Sequence, residues 1–589
     1  MKELFIVQRD KNEDLYLSLQ REALKTVQQF SGELWTDYNV HDPGITIMDI
    51  LNYAITEFAY KLNFPIEDYL TDSNDHFNPE VFGLFLPNDI FSIPTVTQDD
   101  YRNLFLSNIT ELEDVWIEIE RETGKYFIQF CIFEFLQNVD ETEIAEKIKK
   151  LYNANRNLCE SLEVVEHIQL ERLNFQAEVN IVQGNYTTNV LVRIFHEIST
   201  YLLKRCSTLK TQNELYLRLL KIQGVESIHS CYLIDTKGEI VNHFDKAYSP
   251  LIPKNLYEFN RNLKVKINGV AIDINFERFI NQLNILNITG KGYLKPHSDA
   301  TNKIDLNFSS KYHDIYEHVE IAEDFPECYG INSKGLPSSA SNTRKAQAKQ
   351  LKGYLNMFDF IFEQGLKELA DLRTITTLNY HNEDDILKKS YLLEMLDTLY
   401  GENSNPDYLD EYDYAADSPT TKLRRRINFL KRLPEWGLNR FKAYDFTQPL
   451  SSENTPGVKS YISALMDWQC NENIEVSKLF PNCKGNCECE TMYVVEHIFF
   501  KERETFTITI VLPDRSVRFA TQRFRNICRK LILSRIPAHI KVNFKWMNIE
   551  NLKLFEYSQK QWREGMITKN YEQAKDAMNN IELLFKELS

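Results

Sequence analysis

The 589-residue sequence has no run of about 18 apolar residues and no apolar stretch behind its opening MKELFIVQRDKNEDLY, so neither a membrane-spanning helix nor a secretory signal is expected. The chain is therefore expected to be made and folded in the cytoplasm. Positive charge is in deficit: 68 Lys and Arg against 85 Asp and Glu leave a formal net charge of -17. That argues against a general nucleic-acid or anionic-membrane binder, which needs clustered positive charge, and leaves basic protein surfaces as partners. Glycine is scarce, at 19 residues. No Gly-x-Ser-x-Gly, His-Glu-x-x-His or Gly-x-x-x-x-Gly-Lys occurs, so the motifs of esterase nucleophiles, zinc proteases and phosphate loops are all missing. Ten cysteines over this length make no disulfide framework.

What is present is a folded-protein composition, 43% hydrophobic with 36 Phe and 30 Tyr, and length for roughly three to five domains. The stretch Leu34 to Leu62, LWTDYNVHDPGITIMDILNYAITEFAYKL, organises the rest. Asp42-Pro43-Gly44 is turn chemistry. Thr46, with Asp49 three residues on, is placed as the N-cap of a helix. Ile47, Ile50, Leu51, Ala54, Ile55, Phe58 and Leu62 then recur at helical spacing as one broad apolar face. Asp37, His41 and Asp42 cluster ahead of this helix, but no second cluster with ligand spacing follows, so capping and turn roles are expected of them.

The residues WTDYNVHDPGITIMDILNYAITEFAYKL resemble the N-terminal signature of wedge proteins in the baseplates of contractile injection systems, the phage-tail-like machines: a tryptophan, a His-Asp-Pro-Gly-Ile-Thr turn, then an amphipathic helix ending in an aromatic and a basic residue. Further matches follow in order. VTQDDY opening a helix before the strand VWIEI, and the Gly-Val turn of IQGVESIHSCYLI, are similar to the baseplate-J-like family. FPECYGI followed by RKAQAKQLKGYLNMFDFIF, and the closing YVVEHIFF, LPD and IPAHIKVNFKW, also resemble wedge proteins. The resemblance implies a structural subunit, not an enzyme, without a cofactor. Its implied partners are a second wedge protein, sheath-initiating and spike or hub proteins, and further copies in a sixfold ring, as in phage tails and type VI secretion, with no nucleic acid and no direct membrane span. It also implies a location in a phage-tail-like particle, released or membrane-anchored. The assembly interface is then expected at Trp35, Asp42, Pro43, Gly44, Ile47, Ile50, Leu51 and Phe58, where the N-terminal helices would join a bundle with neighbouring subunits.

Along the chain, Asp14 to Phe30 has the spacing of a helix able to pair with the first, and Phe64 to Pro94 is a long polar connection. Val164 to Ile168 and Val494 to Ile498 are both VVEHI. Each precedes an alternating strand (Phe175 to Val182; Phe506 to Leu512) and an amphipathic helix, which points to two related modules. Glu166-His167 and Glu496-His497 resemble acid/base pairs, yet neighbours on a strand face opposite ways and cannot serve one substrate atom. Lys264 to Phe276 carries an Asn-Gly hairpin signal. The helix from Arg344 is expected to bury Leu351, Tyr354, Leu355, Phe358, Ile361 and Phe362. The acidic, tyrosine-rich residues 401–421 precede a basic run, Lys422 to Arg432, expected to be a solvated helix face.

One metal candidate stands out. Cys470, Cys483, Cys487 and Cys489 are dense enough for a structural zinc, though their spacing is not paired Cys-x-x-Cys and free thiols are the default. The expected architecture is multidomain α+β: a helical N-terminal bundle segment (1–75), a baseplate-J-like α+β module (76–245), a β-rich insertion (246–333), a helical middle domain (334–450) and a C-terminal α+β module with the Cys-rich loop and a terminal helix (451–589). The competing functions are a metal-containing cytoplasmic enzyme and a zinc-stabilised adaptor protein.

Overall fold

In the computed structural model the described residues are 15–588, except 91–93, 137–138, 206–209, 290–309, 380–385, 407–411, 413–417, 450, 452, 469–474, 481–488 and 515. The chain is α+β and divides into two units, each built from discontinuous segments.

The first unit comprises residues up to Leu86, Asp305–Ser404 and Ser418–Lys431. Its opening helices are α1 (Leu15–Ser31) and α2 (Pro43–Leu62). Asp42, not Thr46, caps α2, and Pro43 occupies the first turn. The physical reason is that an aspartate oxygen reaches two free backbone N–H groups while proline needs none at that position. Thr46 Oγ1 instead donates to the Asp42 carbonyl at 3.1 Å. Asp49 accepts from Gln20 Nε2 at 3.1 Å, tying α1 to α2 rather than closing a capping box.

The core of this unit is where α2 meets the chain's middle. Ile47, Ile50, Leu51 and Ala54 pack on Ile321, Ala322, Phe325, Ile331, Ala348 and Leu355. The last two belong to a 35-residue helix, Asn342–Thr376, capped by Ser341. A second cluster joins Phe58 and Phe64 to Tyr69, Ile315 and Leu366. Asp359 on the long helix accepts from His318 Nε2 and from the Ile321 N–H, both at 2.9 Å, which fixes the 318–321 segment against it. The long helix buries a narrower stripe than its periodicity predicts: Tyr354 and Ile361 are exposed, because the apolar layer formed with α2 covers only one side of it. The helix Pro419–Lys431 buries Leu423, Ile427, Phe429 and Leu430. Its basic run is not wholly solvated, since Arg426 is buried and bonds to Asp397 and Ser404.

The second unit comprises Pro87–Ile304, Asn405–Asp417 and Arg432–Ser589. Thr97 and Asp100 form a reciprocal capping box that opens the helix Gln98–Asn108. Three strands follow, β1 (Leu112–Glu120), β2 (Lys125–Ile132) and β3 (Ser161–His167). β1 and β2 are antiparallel, and β3 runs parallel to β2 after the helix Glu141–Asn155. The next sheet centres on β4 (Glu171–Ile181), with the two-residue pair β5 (Lys210–Thr211) and β7 (His243–Phe244) standing apart. β4 pairs antiparallel with β6 (Val225–Ile234) and parallel with β8 (Tyr248–Pro250) and β9 (Leu263–Ile267). β9 turns at Asn268-Gly269, both with positive φ, into β10 (Val270–Ala271), as the Asn-Gly signal predicts.

Among the described residues of 246–333 there is therefore no separate β-rich body. Their short strands extend the β4 sheet, and the described residues from Ser310 on belong to the first unit. The helical middle segment divides too, with 432–450 in the second unit.

The last sheet is β11 (Tyr493–Glu496), β12 (Thr507–Pro513) and β13 (Lys541–Met547). β11 and β12 are antiparallel, β12 and β13 parallel across the helix Gln522–Arg535. This repeats the connection order of β1, β2 and β3. The pentapeptide VVEHI, however, lies on β3 in one sheet and starts on β11 in the other, so it marks non-corresponding strands. The helices Ile549–Ile567 and Tyr571–Glu587 close the chain and cover this sheet with Leu552, Phe555, Ile581 and Phe585.

Candidate assembly face

The turn before α2 is built around one carboxylate oxygen. Asp42 Oδ1 accepts from the Gly44 N–H at 2.8 Å, from the Ile45 N–H at 3.1 Å and from Trp35 Nε1 at 3.1 Å. The indole therefore lies directly on the first turn of α2. A Cβ on Gly44 would meet Trp35 Cζ2 at 2.2 Å, so glycine is required here for space rather than for its backbone angles. Tyr38 Oη donates to the Trp35 carbonyl at 2.5 Å, closing the loop on itself. The signature Trp35, Asp42, Pro43 and Gly44 is thus one interlocked cap.

The remaining expected interface residues are engaged within the first unit. Ile47, Ile50 and Leu51 are half-buried against the 321–355 layer, and Phe58 rests on Phe362 with ring centroids 5.4 Å apart. What stays uncovered lies beside them. None of the 17 residues of α1 is buried. Phe30 is 81% exposed, Val40 82% and Leu34 95%. On the long helix Met357, Phe360 and Ile361 are exposed. On the helix Ile386–Tyr400, Tyr391, Met395 and Leu399 follow one another at four-residue intervals and are exposed as well. Isolated exposed apolar residues are ordinary, whereas stripes at helical spacing mark surfaces shaped for another helix or sheet.

The candidate acid/base groups are each tied to separate partners. His41 and Asp37 are 3.9 Å apart and largely exposed, and the Asp37 carboxyl is held below its usual range chiefly by the Asn39 backbone N–H. His167 Nδ1 pairs with Glu141 at 3.0 Å, while Glu166 faces Gln129. His497 lies between Glu504 and Thr509, at 3.0 and 2.7 Å. Glu496 turns the other way, to a residue that sequence reasoning missed: Arg156, whose guanidinium donates to both Glu496 oxygens at 2.8 and 2.6 Å. Burial opposes the charge on Arg156, and Glu496 more than offsets it, so the guanidinium pKa is raised. Phe446 and Phe499 flank the cation, and the carbonyls of Glu160 and Tyr444 take two more of its hydrogens. Nothing in the sequence linked two residues 340 positions apart.

With this geometry in view, the comparisons with known proteins are brief. No family model and no curated protein matches the chain. Among solved structures the chain is similar to one in the "Cryo-EM structure of the anti-feeding prophage (AFP) baseplate, 6-fold symmetrised". The identity is 16% and the TM-score 0.49, over 78% of this chain and 96% of that chain.

Among the described residues, no three His, Cys, Asp or Glu side chains are grouped as a metal site, and no helix is long and apolar enough to cross a membrane. Cys470, Cys483 and Cys487 lie outside the described residues. Cys489 is buried, and its sulfur is in a disulfide. A sulfur in that state is not a thiolate, so disulfide and zinc are alternatives at this atom.

Proposed function

We propose that this chain is a structural subunit of the baseplate wedge of a contractile injection system. In that role it assembles around the spike or hub and links it to the sheath. Two supports of different kinds meet here. The wedge signature supplies the type of machine, and its Trp35, Asp42, Pro43 and Gly44 form one interlocked cap rather than a loose string of matches. The observation that carries the assembly reading is α1. Seventeen residues form a helix with none buried, and the turn after it presents Leu34 and Val40 to solvent. α1 is tied to α2 through Gln20 and Asp49, and most of the stability of such a helix comes from covering its apolar face.

On this proposal the partners are a second wedge protein, sheath-initiating and spike or hub proteins, and further copies in a sixfold ring. The role is mechanical: the subunit holds a ring closed and opens by exchanging interface contacts rather than by bond chemistry. The particle is assembled in the cytoplasm and is then released or anchored.

Co-expression with the products of neighbouring genes tests this. Co-purification of a complex that forms wedges or rings is the expected outcome, and Leu34→Asp should weaken it without lowering the melting temperature. A dispersed monomer that joins no sheath or spike component would overturn it. A structural zinc on Cys470, Cys483, Cys487 and Cys489 belongs to the same proposal as a secondary feature, and it requires the disulfide at Cys489 to be reduced. Metal analysis with and without reductant decides this: stoichiometric zinc only under reductant keeps it, and no zinc in either state removes it.

A further inference from the structure

The edge strands of the second unit differ in how they are protected. β1 steps out of register with β2 at Glu113, β3 does so at Glu163, and β6 is offset from β4 twice. A bulge of this kind bends an edge strand and spoils it as a template for another chain. β10 and β11 are short instead, at two and four residues. β13 has neither protection. Its seven residues pair with β12 in one unbroken parallel register, and among the described residues no strand pairs with its other side.

The Lys541 N–H donates to the Phe506 carbonyl at 2.8 Å, and the Met547 carbonyl accepts from the Asp514 N–H at 2.9 Å, so the odd-numbered residues of β13 turn their backbone groups to β12. Val542, Phe544 and Trp546 therefore turn theirs to the open side. Beside them runs the helix Gln522–Arg535, whose Arg525 lies 4.7 Å from the Trp546 ring centroid and whose Arg529 lies 5.5 Å from that of Phe544. Arg525 is occupied, donating to the carbonyls of Phe519 and Asp514. Arg529 is half-buried, and among the described residues it has no carboxylate partner. The helix carries five cations and β13 adds Lys541 and Lys545, with no carboxylate on either element, in a chain of net charge -17. Arg535 turns away to Tyr461, and Lys545 donates to the Phe585 carbonyl. The acids on adjoining segments are Glu504, Asp514, Glu550, Glu582 and Glu587. Glu504 pairs with His497 and Glu582 with Lys586, which leaves Arg529 unmatched.

We infer that the open side of β13 receives an extended acidic segment of another protein, which adds a strand to this sheet and sets a carboxylate against Arg529. The backbone groups of Val542, Phe544 and Trp546 supply the pairing, and the guanidinium supplies the choice of sequence. A neutral strand would gain the same backbone bonds and leave Arg529 without a counter-ion. A second copy of β13 would bring two more lysines and another Arg529 to an edge already positive, so like charge opposes self-pairing. The inference stands independently of the wedge reading, because it rests on a strand edge and not on the exposed helices.

Calorimetric titration of the full chain at neutral pH and low salt tests it, using blocked heptapeptides in which Val alternates with Glu, with Gln or with Lys, together with residue-resolved hydrogen exchange. The Glu peptide should bind about tenfold more tightly than the Gln peptide, and the Lys peptide should not bind. Exchange at the amides of Val542, Phe544 and Trp546 should slow in the bound state. Arg529→Gln removes no partner, so it should keep the melting temperature and bring the Glu peptide down to the affinity of the Gln peptide. Arg529→Lys should restore part of the preference. If a variant melts early, the peptide preference and exchange pattern of the wild-type chain decide on their own. Equal binding of the Glu and Gln peptides, a Glu preference that survives Arg529→Gln, or binding that leaves those three amides unprotected would overturn the inference. So would a dimer that protects the same amides without peptide, since the edge would then belong to a second copy.

Discussion

α1 and β12 show two opposite uses of apolar residues in one molecule. Every one of the seven residues of β12 is buried, covered by β11, β13 and the helices around them. α1 is more than twice as long and buries none. The first is stable through what this chain supplies. The second has its periodicity and its link to α2 through Gln20 and Asp49, but leaves Leu15, Leu17 and Phe30 exposed. The difference teaches that an apolar pattern at element spacing says an element will be covered, without saying by what.

The largest effect that would sharpen this contrast lies beside β11. Arg156→Ala leaves Glu496 charged and buried, and should destabilise the folded chain by about 3–5 kcal/mol, read from urea unfolding. A loss under about 1 kcal/mol would mean the pair does not hold the region together, and the contrast with α1 would fail. At the cap, Gly44→Ala drives a methyl into the Trp35 ring and should cost about 1–3 kcal/mol, with the tryptophan fluorescence shifting as the indole is displaced. An unchanged spectrum would contradict the interlocked cap. On the exposed side, Leu34→Ser should stay within about 0.5 kcal/mol of the parent in stability while reducing recovery of partner complexes. A large loss of stability there would show that this residue is already covered.

The smallest effect is a pH slope. Burial pushes the His497 imidazole below its ordinary 6.5, with Glu504 opposing. The unfolded chain then binds more protons than the folded one just below that value. The stability from this group is present above 6.5 and is lost as pH falls through the depressed folded pKa. In His497→Gln the stability-against-pH curve should be flatter in that window, as measured by melting at stepped pH.

Much of the local architecture was legible. The helix opened by VTQDDY, the Asn268-Gly269 hairpin, and the strands around Phe175 to Val182 and Phe506 to Leu512 with the amphipathic helices after them each rest on signals contained within a few residues. The N-cap of α2 lies four residues before the expected Thr46, because Thr46 and Asp49 match a capping pattern whose role Asp42 and Pro43 already fill. The VVEHI echo drew attention to a repeat of connection order that does exist, but aligned it on the wrong strands, since identical residues on β3 and β11 answer to different neighbours. The buried faces were read too broadly: Tyr354 and Ile361 carry the same periodicity as Leu355 and Phe358 and differ only in whether another segment reaches them. Of the candidate sites, the Trp35–Gly44 signature was legible as a unit. Arg156 with Glu496 was not.

The sequence by itself determined where most of the helices and strands lie and which turns are tight, and it carries short motifs that resemble those of wedge proteins, because caps, turns and periodicity act between residues a few positions apart. Only the tertiary structure decided which strands pair in what order, which apolar stripes the chain covers for itself, and which charges are buried together. Those outcomes depend on segments hundreds of residues apart meeting in space, and a pattern confined to one element contains no term for its distant neighbours.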